Sequence, residues 1–328
     1  MSNKSFSDKF IPQKDDSPKV KASKIVTIIA AAVLVVTVII LICLVIGEQR
    51  NKKLNDELAS QHTTVITSET TPPVTTVTEE ETTVTTAPPP LVLLDSMKSF
   101  VDENPDTAGW IKVGGTYIDN VVVQTENNSD YLDRNFYGQK AQPGTVFADY
   151  RCNVNDYDDN QSKNIILYGH NQRDGTMFGT LNYYKVKPSS GSTKGFDFYV
   201  NHPTFEFSNL YEEYTYKIIA AFVIEVEPRH TRDGIIFDYH NYINFGKNRP
   251  FDSFKENILE RTAINTGVDF DENDKFLTLS TCSNEFEPSR FVVIGRRVRD
   301  GESAEVDTTL ASVNYEAKEP DYSFIYNQ

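Results

Sequence analysis

Only three of the 328 residues are cysteine, and only one is tryptophan. Cys43 falls inside a long apolar run, which leaves Cys152 and Cys282 for the rest of the chain. Two thiols make no disulfide framework, and a Cys152–Cys282 bridge is not expected. No cysteine or histidine pair has metal-ligand spacing, so a zinc site is not expected. Glycine clusters are equally sparse: Gly114-Gly115 and Gly191 read as turn glycines outside any phosphate-loop context. Positive charge is the other shortage, with 32 Lys and Arg against 47 Asp and Glu, a formal net charge of −15. Binding to a phosphate backbone is driven by cationic side chains, so nucleic acid is excluded as a partner.

The scarce cations are unevenly placed. Lys4, Lys9, Lys14, Lys19, Lys21 and Lys24 precede the apolar run against Asp8, Asp15 and Asp16, a net of +3 that leaves −18 for the remainder. Residues 25–46 carry no charge and as a helix rise about 33 Å, enough to cross a bilayer core of about 30 Å. The run is longer than the apolar region of a secretory signal, and no Ala-x-Ala pattern follows it. A retained transmembrane helix is expected, with residues 1–24 in the cytoplasm and the body outside the cell membrane. Residues 63–86 hold 12 threonines, four glutamates and no Lys or Arg, and Pro88-Pro89-Pro90 closes the tract. Such a composition buries too little apolar surface to offset ordering, so 47–90 reads as an extracytoplasmic spacer, with a short helical continuation over 48–58.

A folded domain is expected over 91–300, because 39% of the chain is hydrophobic and a sizeable core is within reach. Its pattern is mainly β. Strand-like runs cover 109–113, 117–123, 144–148, 164–168, 204–208, 213–227, 275–281 and 290–299, which suggests a closed barrel or a sandwich. Helical spacing marks 91–103, ended by Asn104-Pro105, and two insertions. Residues 176–184 place Met177, Leu181 and Tyr184 on one face, and 251–262 group Phe254, Ile258 and Leu259. The acidic tail, 301–328, has no readable role.

Chemistry concentrates at three strand ends. Cys282 closes the run Leu277-Thr278-Leu279-Ser280-Thr281. Arg290 opens Phe291-Val292-Val293-Ile294. His170 follows Asn164-Ile165-Ile166-Leu167-Tyr168-Gly169. A thiol attacks only as thiolate, and an unperturbed thiol is only a few per cent ionised at neutral pH. A neighbouring cation and a histidine are what such a nucleophile needs. A small buried cysteine and a surface arginine are the plainer account of each residue alone. His62, His202, His230 and His240 sit in spacer or turn contexts and read as structural or solvent-exposed.

Taken together, Gly169-His170, Thr281-Cys282 and Arg290 resemble the sortase family of cysteine transpeptidases, most fully its class B members. Asn104-Pro105-Asp106-Thr107-Ala108-Gly109-Trp110-Ile111, Val122-Val123-Gln124 and Gly144-Thr145-Val146-Phe147-Ala148-Asp149 extend the likeness over about 92–299. Asn171-Gln172-Arg173 departs from it. The resemblance implies an eight-stranded closed β-barrel with an N-terminal helix and a helical insertion before the strand carrying Cys282. It also implies catalysis without cofactor by Cys282 as nucleophile, His170 as acid and base, and Arg290 at the oxyanion, with Thr281 positioning the substrate backbone. The implied partners are the sorting signal of an exported protein and an amine of peptidoglycan, or a pilin lysine. A papain-like hydrolase orders Cys before His, opposite to this chain. An L,D-transpeptidase places Arg two residues after Cys, where Asn284 stands. A non-catalytic adhesin remains the interaction-protein alternative.

Overall fold

The computed structural model describes residues 10–68 and 89–327 and divides the chain into two compact units, one through Lys52 and one from Lys53. Helix α1 (Pro18–Ser68) contributes to both. In the first unit, Lys24 pairs with Asp16 at 2.7 Å, and the apolar residues from Ile25 to Ile46 are exposed. Among the described residues α1 is the one helix long and apolar enough to cross a membrane.

The second unit is built on eight strands: β1 (Thr107–Lys112), β2 (Asp119–Val123), β3 (Val146–Ala148), β4 (Asn164–Tyr168), β5 (Thr204–Ser208), β6 (Glu213–Glu225), β8 (Phe276–Cys282) and β9 (Ser289–Arg297). They close in the order β1-β2-β3-β4-β8-β9-β6-β5. Pairings β2–β3 and β4–β8 are parallel and the others antiparallel, so the barrel is mixed. Strand β6 slips register between Ile218 and Ala220. That break lets one long run bend around the wall.

Alternation sets the layers. Leu277 and Leu279 of β8, with Phe291 and Val293 of β9, fill the barrel interior beside Ile166, Phe178, Leu181 and Tyr184. The opposite faces are buried too, because Phe276, Val292 and Ile294 lie beneath helix α4 (Phe251–Arg261) and Phe237, Tyr239 and Tyr242 of the insertion. Strands covered on both sides read as near-continuous apolar runs, as these do. A third layer packs Leu58, Met97 and Phe100 against Trp110, Val121 and Phe147. It seats helix α2 (Asp95–Glu103) on the outer wall.

Several expectations change. The helix reaches Ser68, beyond the expected end near Leu58, because Leu54, Leu58 and His62 recur at helical spacing and bury against the barrel. The rest of the threonine-rich tract, 69–88, lies outside the described residues. Residues 176–184 are not an α-helix: Met177 takes φ 52°, and a 3₁₀ turn covers Gly179–Tyr184. Met177, Leu181 and Tyr184 are nevertheless buried. Leu259 is 47% exposed, because one residue past Ile258 rotates it off the Phe251-Phe254-Ile258 stripe. Helix α3 (Lys194–Asn201) and the pair β7 (Ile264–Asn265) with β10 (Ser312–Val313) were not foreseen. The last pairing fastens the acidic tail to the barrel, and the tail ends in α5 (Tyr322–Ile325).

Candidate active site

Strands β4, β8 and β9 are neighbours in the barrel, and the three candidate residues sit at one common end of them. Cys282 and Arg290 are register partners across β8–β9. Directly opposed residues project from the same face of an antiparallel pair. Both belong to the alternate set that holds Ser280 and Val292, so they face outward beside the insertion, away from Leu279 and Phe291. On the other flank Tyr168 pairs with Ser280 in parallel register. The chain then continues along the end of β8. The Gly169 amide donates to Ser280 O (3.3 Å). Thr281 Oγ1 donates to Gly169 O (2.7 Å), and Asn171 Nδ2 donates to Cys282 O (2.7 Å). His170 is thereby held between two residues that are both tied to β8.

Its ring is oriented from outside the barrel. His170 Nε2 donates to the Leu132 carbonyl at 2.7 Å. A carbonyl only accepts, so Nε2 supplies the proton of this bond. The segment is locked from below as well. Phe178 N donates to His170 O (3.0 Å), and Asn171 bridges to Met177. Gly169 is required here because a Cβ would lie 2.7 Å from the Phe178 ring. Asn182 Nδ2 donates in turn to Asn171 Oδ1 at 2.9 Å.

Cys282 and Arg290 open into a cavity of about 320 Å³ whose other walls include Arg229, Asn284, Phe286 and Glu287. Arg290 Nη1 donates to Ser289 O at 3.0 Å. Beneath the cleft Tyr239 and Ser280 share a hydroxyl hydrogen bond of 2.6 Å, and burial raises the Tyr239 pKa. The connection from Cys282 to Arg290 is gripped by Lys185, whose Nζ donates to Ser283 O (3.2 Å) and to Glu285 (3.2 Å). Lys187 also pairs with Glu285 at 2.8 Å. Burial pushes the Lys185 pKa down against the opposing pull of Glu285.

Other predicted residues fall elsewhere. Thr281 is 2% exposed, on the inward-facing set of β8, with its hydroxyl committed to Gly169. That bond commits the hydroxyl to the backbone leading into His170. His62 stacks on Trp110, His202 lies against Phe198, His230 is buried against Phe286, and His240 pairs with Asp238. Cys152 is buried and unbridged. Among the described residues no group of three His, Cys, Asp or Glu could hold a metal ion. Asn171 was passed over in the sequence as a departure. Its spacing directly after His170 was the available signal.

The sequence matches no protein-family model. It is 31% identical over 206 residues to sortase B of Listeria monocytogenes serovar 1/2a, covering 62% of this chain and 74% of that protein. It is 29% identical over 198 residues to sortase B of Staphylococcus aureus, covering 60% and 72%. The fold is shared with a Staphylococcus aureus sortase B–substrate complex, at a TM-score of 0.59 and 24% identity over 77% of this chain and 99% of that one. The chain belongs to the sortase B family of cysteine transpeptidases.

Proposed function

We propose that this protein is a membrane-anchored transpeptidase that cuts the sorting signal of an exported protein and passes the acyl fragment to an amine of peptidoglycan. The supporting observation is the outward-facing register pair Cys282–Arg290, with His170 fastened alongside by Thr281 and Asn171. Cys282 gives its thiol proton to His170, and the thiolate Sγ attacks the carbonyl carbon of the scissile peptide bond. The carbonyl electrons move to oxygen, where the Arg290 guanidinium stabilises the negative charge. Collapse expels the amine, protonated by His170, and leaves a thioester on Cys282. The acceptor amine then attacks the thioester, His170 takes its proton, and the new amide departs as the thiolate returns. Thr281 and Asn171 hold this geometry without touching substrate. Residues 25–46 of α1 serve as the anchor, N-terminus cytoplasmic, with the catalytic unit outside. A substrate accompanies the Staphylococcus aureus relative in its complex, which favours a peptide ligand here.

The test incubates the full-length chain in detergent with a library of candidate sorting peptides and an amine acceptor, either a peptidoglycan stem-peptide amine or a lysine-bearing pilin peptide. Mass spectrometry should find a peptide-sized thioester on Cys282, then the amide product with the stem-peptide amine. Acylation at another residue, or release of free acid alone despite saturating amine, rejects the transpeptidase scheme.

A further inference from the structure

The acidic tail does not simply trail from the barrel. After β10 joins β7, Asn314 N donates to Ala263 O (3.0 Å) and Lys318 N to Glu260 O (2.8 Å), which lays the chain along the insertion. Lys318 also pairs with Glu260 at 3.1 Å, and Glu319 accepts from Ser189 N at 3.3 Å. Asp321 then accepts from Phe324 N (2.9 Å) and pairs with Arg232 of the insertion (2.6 Å), while the Arg232 guanidinium lies 5.0 Å over the Phe324 ring. These contacts fix two aromatic rings against the segment between Cys282 and Arg290. The Tyr322 ring meets Phe286 edge-on at 6.1 Å, and the Tyr326 hydroxyl donates to Glu285 O. Phe286 is itself a wall of the cavity onto which the thiol and the guanidinium open, and its other side is backed by His230 at 5.1 Å.

We infer that Tyr322 and Tyr326 are positioning residues for the transfer reaction. The tail is a strap that clamps segment 283–288 and so sets the placement of Arg290 relative to Cys282. The inference rests on the catalytic reading above. Asn284 holds φ 59°, a left-handed turn that asparagine readily adopts, so the turn itself is local, and the Phe286 ring that follows it is seated by rings from outside the segment. The segment's other holds are the long side chains of Lys185, Lys187 and Arg229, and two local bonds, Ser289 Oγ to Phe286 O (2.6 Å) and Ser283 N to Ser289 O (3.2 Å), none of which bears on the Phe286 ring. Among the described residues the rings against Phe286 are those of His230 and, from the tail, Tyr322. An oxyanion donor has to sit within about 0.2 Å of its best distance, and a misplacement of about 1 Å costs on the order of 100-fold in rate. A clamp two layers from the chemistry therefore acts on turnover more than on substrate binding.

The experiment uses the full-length chain in detergent and the library peptide that acylates Cys282 fastest. The parent must turn over and Cys282→Ala must not, which establishes the catalytic reading before the strap is tested. Deletion of 321–328 leaves β10 and Pro320 in place. This deletion and Tyr322→Ala should each lower kcat by about tenfold or more, with KM changed less than about twofold. Tyr322→Phe keeps the ring against Phe286 and should retain at least about half the parental kcat. Thermal unfolding midpoints of all three should stay within about 2 °C of the parent. A deletion variant with undiminished or raised kcat overturns the strap while leaving the catalytic reading intact. A fall in kcat that only follows a fall in the unfolding midpoint, or one that Tyr322→Phe shares fully, also overturns it.

Discussion

Cys282 and Arg290 stand opposite each other as register partners on the outer face of β8–β9. Backbone pairing therefore fixes the spacing of the two Cα atoms, and the Arg290 side chain spans what remains between guanidinium and thiol. Cys282→Ala should abolish thioester formation with little change in unfolding, and turnover at the parental rate would reject it as nucleophile. Arg290→Lys keeps the charge but loses the fork, so a fall of about 10²-fold in kcat is expected. His170→Ala should lose about 10²–10⁴-fold. Single-turnover acylation and steady-state kinetics separate the three.

Asn171 links the histidine segment to the Cys282 carbonyl through one 2.7 Å hydrogen bond. Asn171→Ala should reduce kcat/KM by about tenfold while costing only about 1 kcal/mol of stability. Asn171→Asp should be worse, because a carboxylate would face a carbonyl across the same gap. Parental kinetics in both variants would remove Asn171 from the site.

His62 stacks on Trp110 with ring centroids 4.1 Å apart and planes 4° from parallel. Burial holds its pKa down to about 4, against an ordinary value near 6.5. The folded state therefore binds fewer protons than the unfolded one between these values. The contribution is intact above about pH 6.5 and is lost as pH falls toward about 4. The cavity of about 470 Å³ beside His62 admits water, so the loss should be on the order of 1–2 kcal/mol. Trp110 is the only tryptophan, so its fluorescence should titrate near pH 4 and become flat in His62→Phe. A midpoint at pH 6.5 in the folded protein would contradict the buried stack.

Cys152 lies in the barrel core with Sγ 3.7 Å from Asn164 O, and burial pushes its thiol up to about 12. It should resist iodoacetamide at neutral pH in the native protein and react only after unfolding. Cys152→Ser should leave kcat within about twofold and cost about 1–2 kcal/mol, since a hydroxyl replaces sulfur in an apolar site. Mapping the alkylated cysteines by mass spectrometry checks the first point, and denaturant titration the second.

The barrel strands were legible because burial on both faces writes runs such as Ile165-Ile166-Leu167 and Val292-Val293-Ile294 into the sequence. Strand β4 and β5 boundaries match the expected ones, and others differ by one or two residues. Three strand-end residues were legible because each directly follows or opens such a run. Asn171 and the Leu132 carbonyl were not. One acts through a single amide side chain and the other through a backbone atom that any residue carries. The docked end of α1 was hidden by the threonines around it, since Leu54, Leu58 and His62 are a thin stripe in a polar context. The tail was unreadable because its seat is assembled from Glu260, Arg232 and Phe286, all distant in sequence.

The closed wall carries a consequence for how clients are chosen. In a cylinder whose eight strands each have a neighbour on both sides, with gaps only beside the short β3, little strand edge is left for an incoming segment to zip onto. In the proposed reaction, selectivity would then fall mainly to side chains that rise above the wall. Exchanging those decorations should redirect the enzyme toward new cargo while the staves beneath stay as they are.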